Sequence, residues 1–294
     1  MLGFACICNT LQENGRFKTV TVKTLLKLSD EDQAKKLKSI AVDNLYNSLQ
    51  ILKWCKSNNI LMYRFSSDLI PLATYVESWS WWEDKDIQNM CFKVKEFALE
   101  SGIRISLHPD QFCVLNSDKP HVVQNSMKHL EYLNKLSNMI GNKTLIIHTG
   151  STIGGKEKAI QRFIDNFALL SKDIQSKIVL ENDDKSFGVS DVLCICETLG
   201  IPMLLDIHHY NCLNAREDLL DLRQRIVATW KGHRPKMHLS SGKTGFIDRH
   251  HADYINDEDY INALKFAGDE FDIMLECKQK ELALLKIREI DLLK

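Results

Sequence analysis

Six side chains that can bind a metal ion each follow a short run of mostly apolar residues. They are His108, His148, Glu181, Asp206, His238 and Glu276. Intervals of 25 to 40 residues separate them, which is about the length of one strand–helix unit. Because imidazole nitrogens and carboxylate oxygens bind Mn²⁺, Zn²⁺ and Fe, the pattern predicts a metal site assembled from the ends of strands.

Two further histidines extend this set. His209 is three residues after Asp206, in a predicted turn, and His251 lies in the segment that follows His238. The eight nitrogen and oxygen donors exceed what one ion coordinates, so the sequence predicts two or three divalent metal ions. Closely spaced divalent ions favour phosphodiester hydrolysis. The same ligands would also serve a sugar isomerase or epimerase that polarises a carbonyl group.

The elements that must position these residues alternate along the chain. Short runs of apolar and β-branched residues predict strands at 2–8, 60–65, 103–108, 144–148, 178–181, 202–206, 236–238 and 271–276. Longer amphipathic runs predict helices at 33–57, 87–101, 122–139, 156–171, 189–199, 216–229, 260–267 and 280–293. Eight strands that each precede a helix predict an α/β fold of one domain over residues 1–294, the (β/α)8 TIM barrel. An open, doubly wound sheet is the alternative.

The direction of side chains within a strand refines this prediction. Alternate residues of a strand face opposite sides of the sheet, so Arg104, Ser106 and His108 share the side that would line the barrel. Lys236 is two residues before His238 and would point inward as well. A lysine buried beside cations would lose its proton or be chemically changed. The carboxyl ends of barrel strands form one rim, where active sites lie.

Composition narrows the class of protein. The 294 residues are 44% hydrophobic and 26% charged, as in ordinary globular proteins. The odd count of nine cysteines predicts reduced thiols in a cytoplasmic or otherwise intracellular protein. No apolar run is long enough to span a membrane, and the first residues lack a signal-peptide pattern. The net charge is −1, so a polyanionic partner would need local positive charge. Basic residues near the predicted rim are Arg64, Lys119, Lys185, Lys243 and Arg249.

Eight segments occur in an order that is typical of one family. They are YRFSSDLIPLA (63–73), SLHPDQF (106–112), IHTG (147–150), LEND (180–183), LDIHH (205–209), KMHLSS (236–241), HADY (251–254) and LECK (275–278). The chain resembles the UV damage endonucleases in these segments and, more distantly, the endonuclease IV group. The resemblance implies a metal-dependent DNA repair endonuclease that nicks the strand 5′ of UV photoproducts, namely cyclobutane dimers and 6-4 products. Such enzymes leave a 3′-hydroxyl and a 5′-phosphate, and some also act at abasic sites.

The resemblance also assigns metal ligands and catalytic residues. One ion would be held by His108, His148 and Glu181, a second by Glu181, Asp206, His238 and Glu276, and a third by His209 and His251. Manganese is the implied metal, with Zn²⁺ and others as alternatives. Lys236 occupies the position of a carboxylated lysine, which would act as an anionic ligand. Glu181, Lys236 and Glu276 are the predicted catalytic residues.

Recognition of the lesion is assigned in the same way. The resemblance implies that a damaged dinucleotide is flipped out of the duplex and that Gln111 and Phe112 fill the gap, with tyrosine usual in place of Phe112. Phe4 and Asn9 fall near positions that line the lesion pocket, and Tyr75 stands where relatives often carry histidine. The predicted partner is double-stranded DNA with UV lesions, with no membrane partner and a monomeric chain. A catalytically silent DNA-damage-binding protein is a further alternative.

Overall fold

Eight short parallel strands form the centre of the fold. The computed structural model describes residues 1–76, 79–109, 111–213 and 217–292. For residues 290–292 it describes the backbone only. The strands are β1 (Leu2–Ala5), β2 (Met62–Ser66), β3 (Arg104–His108), β4 (Leu145–His148), β5 (Ile178–Glu181), β6 (Met203–Asp206), β7 (Lys236–Leu239) and β8 (Asp272–Leu275). Each strand pairs with the next one in sequence, and β8 pairs with β1, so the sheet closes into a barrel. The predicted TIM barrel is confirmed, and the alternative of an open sheet is wrong.

Helices occupy the connections between these strands. They are α1 (Val22–Leu25), α2 (Asp30–Ser57), α3 (Lys85–Ser101), α4 (Pro120–Ile140), α5 (Lys156–Ala168), α6 (Lys172–Lys177), α7 (Val189–Leu199), α8 (Ile207–Leu213), α9 (Leu219–Thr229), α10 (Asp257–Ala267) and α11 (Glu281–Leu292). Short 3-10 segments lie at Asn9–Gly15 and Trp81–Glu83. None of the helices within the described ranges is both long and apolar enough to cross a membrane.

Local sequence signals explain where the helices begin and end. The Asp84 side chain accepts hydrogen bonds from the first amides of α3, and Gly102 ends this helix in the left-handed region with φ 67°. The helix predicted over 156–171 is α5 and ends at Ala168, and Ser171 caps the additional helix α6, which was not predicted. The segment directly after β6 forms the short helix α8, so the prediction of a turn there is wrong. The predicted start of α9 at position 216 lies outside the described residues.

The two faces of the barrel strands have different surroundings. Outward residues such as Ile105 and Leu107 are buried in the large apolar core. Inside the barrel, Ala5, Met62 and Met274 form a small apolar cluster of their own. Met62 is two residues before Arg64 and Met274 two residues before Glu276, so both lie directly below residues of the rim, and Ala5 pairs with Arg64. The interior is therefore filled with side chains, and the polar rim lies on a packed floor.

A charge cluster closes the opposite end of the barrel. Asp272, at the start of β8, is fully buried. Its carboxylate lies 2.9 Å from the Met1 amine, 2.7 Å from Arg104 Nη1 and 2.7 Å from Arg234 Nε. These partners come from the start of the chain before β1, from β3 and from the segment before β7. The cluster thus ties together several elements at the end of the barrel away from the candidate site.

Candidate metal centre

The carboxyl ends of the strands bring the predicted ligands together. Among the described residues, three groups have donor atoms that all lie within 4.8 Å of one another. The groups are His108–His148–Glu181, Glu181–Asp206–His209 and Asp206–His238–Glu276. Glu181 belongs to the first two groups and Asp206 to the last two, so the groups form one continuous cluster. Seven of the eight predicted ligand positions therefore meet at one rim.

Glu181 lies at the middle of this cluster. Its Oε2 is 2.9 Å from His108 Nε2 and 3.5 Å from His148 Nε2. Its Oε1 is 2.7 Å from His238 Nδ1, which in turn is 3.1 Å from Glu276 Oε1. Only 1% of the Glu181 side chain is exposed. One carboxylate therefore joins imidazoles from three different strands.

Main-chain carbonyl groups orient two of the imidazoles. His108 Nδ1 lies 2.8 Å from the Pro109 carbonyl oxygen, and His209 Nδ1 lies 3.0 Å from that of Asn182. A carbonyl oxygen only accepts, so Nδ1 carries a hydrogen in both rings, and Nε2 is the nitrogen through which each ring could bind a metal. This is the arrangement by which a second contact fixes the tautomer of a metal-binding histidine.

The charges of the cluster shift the pKa values of its members. Burial by itself raises the pKa of Glu181, but the imidazoles of His238 and His148 lower it well below its usual value. Burial lowers the pKa of His148 to about 4, so this ring is neutral at pH 7. Burial also opposes charge on His209, yet Asp206 and Glu181 raise its pKa to about 9. The Glu181 carboxylate is therefore ionised and attracts positive charge to the rim.

Arg64 has a partner in the site that the sequence did not reveal. It is one of the basic residues expected near the rim, where it could meet phosphate. Instead it is largely buried on β2 and donates from Nη1 to Glu276 Oε1. Burial raises the pKa of Glu276, but Arg64 and His238 hold it well below its usual value. The sequence does contain a signal for this contact, because a charged residue at an inward position of an apolar strand needs a partner inside the barrel.

Lys236 is fully buried inside the barrel, as its inward position predicts. Its Nζ has no hydrogen-bond partner among the described residues. Burial and the nearby Arg104 and Arg64 lower its pKa well below the ordinary value, although Asp272 acts in the opposite direction. This direction favours the uncharged amine, and the expected loss of the proton stays a prediction.

His251 is the predicted ligand that the structure does not bring into one of the three groups. Its Nδ1 lies 2.6 Å from the Glu276 carbonyl oxygen, and its ring meets His208 edge-on at 5.4 Å. It nevertheless lines the same cavity as His148 and His209. Its assignment to a third ion stays a prediction. Sequence reasoning assigned nothing to His208, which is 1% exposed and contacts Cys212 on the same helix.

The predicted wedge lies between two hollows at the rim. Gln111 lines a cavity of about 680 Å³ that also contains His148, His209 and His251. Phe112 faces the other way, into a hollow of about 370 Å³ that Tyr75 also lines. At 78% exposure, Phe112 is the most exposed large hydrophobic side chain of the described residues. The role of Gln111 and Phe112 as a wedge stays a prediction.

The two other predicted lesion contacts have different surroundings. The Phe4 side chain is fully buried and packs edge-on against Trp54 and Tyr63. A residue under a helix cannot touch DNA, so the prediction for Phe4 is wrong. It fails because Phe4 faces outward to α2, whereas Ala5 faces the barrel interior. Asn9 is partly exposed at the start of the first 3-10 segment, and its contact with a lesion stays a prediction.

The barrel and the cluster of imidazoles and carboxylates at its rim define a (β/α)8 protein with a candidate centre for several metal ions. The family model described as UV-endonuclease UvdE matches residues 1–294. The chain belongs to this family, and the resemblance found in its eight segments is confirmed.

Individual relatives agree with this assignment. The UV DNA damage endonuclease of Halalkalibacterium halodurans is 37% identical over 295 residues, which cover 97% of this chain and 92% of that protein. The crystal structure of SacUVDE matches with a TM-score of 0.88 and 36% identity, over 98% of this chain and 96% of that one. Endonuclease IV from Thermus thermophilus shares the fold, with a TM-score of 0.56 and 15% identity over 82% of this chain and 91% of that one.

Proposed function

We propose that this protein is a metal-dependent DNA repair endonuclease that nicks the strand 5′ of UV photoproducts. Its targets are cyclobutane dimers and 6-4 products in double-stranded DNA, and also abasic sites, and the products are a 3′-hydroxyl and a 5′-phosphate. The observation that carries the proposal is the continuous cluster of three donor groups beside an open cavity. Family membership supports the same activity. The proposal includes a monomeric, single-domain protein that acts inside the cell, where its nine cysteine thiols stay reduced.

The donor set fits two or three divalent ions, and manganese is the metal we propose. Nitrogen and oxygen donors without thiolates suit Mn²⁺ and also Zn²⁺. Two buried donor atoms, Asp206 Oδ2 and His148 Nδ1, have no hydrogen-bond partner among the described residues. Such atoms are costly to bury unless a further partner binds them. When bound, the ions would supply a water of lowered pKa and positive charge beside the phosphate.

Each donor group would hold one ion. The first is His108, His148 and Glu181, the second is Asp206, His238 and Glu276, and the third combines His209 with Glu181, Asp206 or His251. Glu181 would be the shared carboxylate, which explains its central place. Arg64 keeps Glu276 ionised and fixed in position, so this carboxylate stays a ligand rather than a proton donor.

Carboxylation of Lys236 belongs to this proposal. A neutral amine can attack CO₂, form an N–C bond and release one proton to give a carbamate anion. The lowered pKa of Lys236 favours that neutral amine. Arg64 and Arg104 disfavour the ammonium ion, and the same positive charges would stabilise the carbamate. Lys236 would then add an anionic ligand below the cluster.

The rim residues would select the damaged nucleotides. Photoproducts are weakly stacked, so they cost less to extrude from the duplex than intact bases. The Phe112 ring would stack on the bases left behind, and the Gln111 amide would meet their unpaired edges. Tyr75 and Asn9 would line the space around the lesion. No base-specific contact is needed for this kind of selectivity.

The direct test uses an end-labelled duplex that contains one cyclobutane dimer, incubated with the protein and Mn²⁺. We expect one nick 5′ of the lesion, with a 3′-hydroxyl that a polymerase can extend. A chelator and Glu181→Gln should each abolish the nick. The matched control is Glu31→Gln, because Glu31 is 79% exposed on α2. Its nicking should equal that of the wild type.

Other outcomes would identify the alternatives. Tight binding of the irradiated duplex without a nick would favour a silent damage-binding protein. Turnover of a free sugar with no effect on DNA would favour an isomerase or epimerase. A nick that survives the chelator would contradict the proposed role of the metal cluster.

A further inference from the structure

A second exposed apolar feature lies on the same rim as the metal cluster. In the segment that follows β7, Phe246 is 59% exposed and Ile247 is 64% exposed. Two adjacent large apolar side chains in water lose the free energy that burial would provide. Exposed Lys243 and Arg249 flank them. We call residues 242–251 the β7 turn.

The β7 turn has a fixed shape. Gly242 and His251 form an antiparallel bridge at its base, and the Lys243 amide donates to the His250 carbonyl oxygen at 2.7 Å. Within the turn, the Asp248 carboxylate accepts from the Thr244 amide at 3.0 Å and from its hydroxyl at 2.6 Å. These bonds hold the tip in one conformation. Phe246 and Ile247 are therefore exposed on a turn that is held by hydrogen bonds.

The β7 turn lies beside the metal cluster. Arg249, His250 and His251 line the 680 Å³ cavity. Strands β3 and β7 are four strands apart in either direction around the closed barrel, so they are opposite each other. Phe112 follows β3, whereas the β7 turn follows β7. The two exposed apolar features thus flank the cluster from opposite sides.

We propose that the β7 turn is a second DNA-binding surface, which packs Phe246 and Ile247 against the deoxyribose and minor-groove face of the duplex. The contact is with the arm of the duplex on the far side of the metal cluster from Phe112. This inference rests on the proposed function, because the bound partner is the same DNA. Apolar side chains that bind the minor groove usually accompany basic residues on phosphate. Lys243 provides this positive charge, together with Arg249, which is 50% exposed and pairs with Asp184 at 3.2 Å.

The charge and the location favour DNA over a protein partner as the occupant. The apolar patch is small, flanked by cations and continuous with the proposed cleavage cavity. A duplex whose scissile phosphate lies over the cluster must extend across the rim in both directions. One arm then passes the β3 side and the other passes the β7 side. A rigid contact on each side would hold the duplex in a bent conformation, which helps to expose the lesion.

The test combines a double variant with shortened DNA. Phe246→Ala/Ile247→Ala is compared with Phe92→Ala/Leu99→Ala, because Phe92 and Leu99 on α3 have the same exposures of 59% and 64%. Fluorescence anisotropy with the metal-loaded protein measures the Kd for an undamaged duplex. Single-turnover nicking over a range of protein concentrations measures the half-saturation point for a duplex with one dimer.

We expect the β7-turn variant to weaken both values about tenfold (~1.4 kcal/mol), and the control variant to leave both unchanged. Two shorter duplexes, each with one cyclobutane dimer, locate the contact. The tenfold effect should disappear when the duplex is shortened on one side of the lesion and persist when it is shortened on the other side. An effect that persists on both shortened substrates, or no effect at all, would overturn the proposal. A variant that binds DNA normally but loses self-association would assign the patch to a second copy of the chain instead.

The two proposals can fail separately. Anisotropy with undamaged duplex does not depend on cleavage. If the wild type never nicks irradiated DNA, the proposed function fails, while the Kd comparison still decides the role of the β7 turn.

Discussion

Replacing Asp272 by asparagine tests whether the buried charge cluster stabilises the barrel. The carboxylate is fully buried and has three cationic partners at 2.7 to 2.9 Å, namely the Met1 amine, Arg104 and Arg234. Asparagine has nearly the same shape but no charge. The change therefore removes the electrostatic interaction and leaves the packing almost intact.

The expected cost follows from the exposure of the partners. Removing one member of a buried ion pair costs roughly 3–5 kcal/mol, because the remaining charge is left uncompensated. Here Arg104 is 24% exposed, the Met1 amine 37% and Arg234 47%, so water can compensate part of their charge. The asparagine oxygen can still accept a hydrogen bond. We expect Asp272→Asn to lower the free energy of unfolding by about 2–4 kcal/mol.

Urea unfolding of both proteins at pH 7.5, followed by circular dichroism, would measure this difference. Asp43→Asn is the matched control, since Asp43 pairs with Lys18 at 2.7 Å while both side chains are exposed. An exposed ion pair contributes little to stability. The control should therefore unfold at the same urea concentration as the wild type.

The pH dependence gives a second check. Burial raises the pKa of Asp272, but hydrogen bonds from the Met1 amine, Arg234 and Arg104 lower it below the ordinary value of 3.8. The stabilisation by this carboxylate is therefore complete above the unfolded pKa and is lost as the pH falls through the lower folded value. The difference between wild type and Asp272→Asn should be the same at pH 7.5 and pH 5.5. A difference below about 0.5 kcal/mol at pH 7.5, which is the size of an ordinary surface effect, would refute the reasoning. A difference that shrinks by pH 5.5 would refute it as well.

Three further changes address the rim. Phe112→Ala should reduce the preference for a dimer-containing over an intact duplex by about tenfold, since a base–aromatic stack contributes roughly 1–3 kcal/mol. Competition binding checks this, and Phe92→Ala, also an exposed phenylalanine, should change nothing. Lys236→Met should abolish nicking without lowering stability, because the buried amine has no hydrogen-bond partner among the described residues. Native mass spectrometry of the wild type should then show one added CO₂, and an unmodified mass with full activity would rule the carbamate out. Gly150→Ala should destabilise the fold by about 2 kcal/mol, because φ is 116° and a Cβ would lie 2.1 Å from Asn116 Oδ1. Equal urea midpoints for the variant and the wild type would contradict this.

Much of the rim could be predicted from the chain because a barrel converts sequence position into spatial position. A residue that ends a parallel strand must lie at the same edge as every other strand end. The six strand-end ligands therefore meet without any knowledge of packing, namely His108, His148, Glu181, Asp206, His238 and Glu276. The inward position of Lys236 follows from the same alternation of side chains.

The connecting segments were less predictable. The segment after Asp206 is a predicted turn, yet it forms α8, which places His209 beside Glu181 and Asp206. The position of His251 placed it among the eight donors, and the resemblance assigned Phe4 to the lesion pocket. The contacts of the loop after β7 leave His251 outside the three groups, and the register of β1 turns Phe4 to the core.

The sequence by itself determined the barrel, the family and the ligand types, because these depend on the periodicity and order of residues along the chain. Only the tertiary structure decided which charges meet. Arg64 on β2 pairs with Glu276 after β8, and the Met1 amine pairs with Asp272. Both contacts exist because the sheet closes and brings its first strands against its last one. No local pattern encodes a contact between residues more than two hundred positions apart.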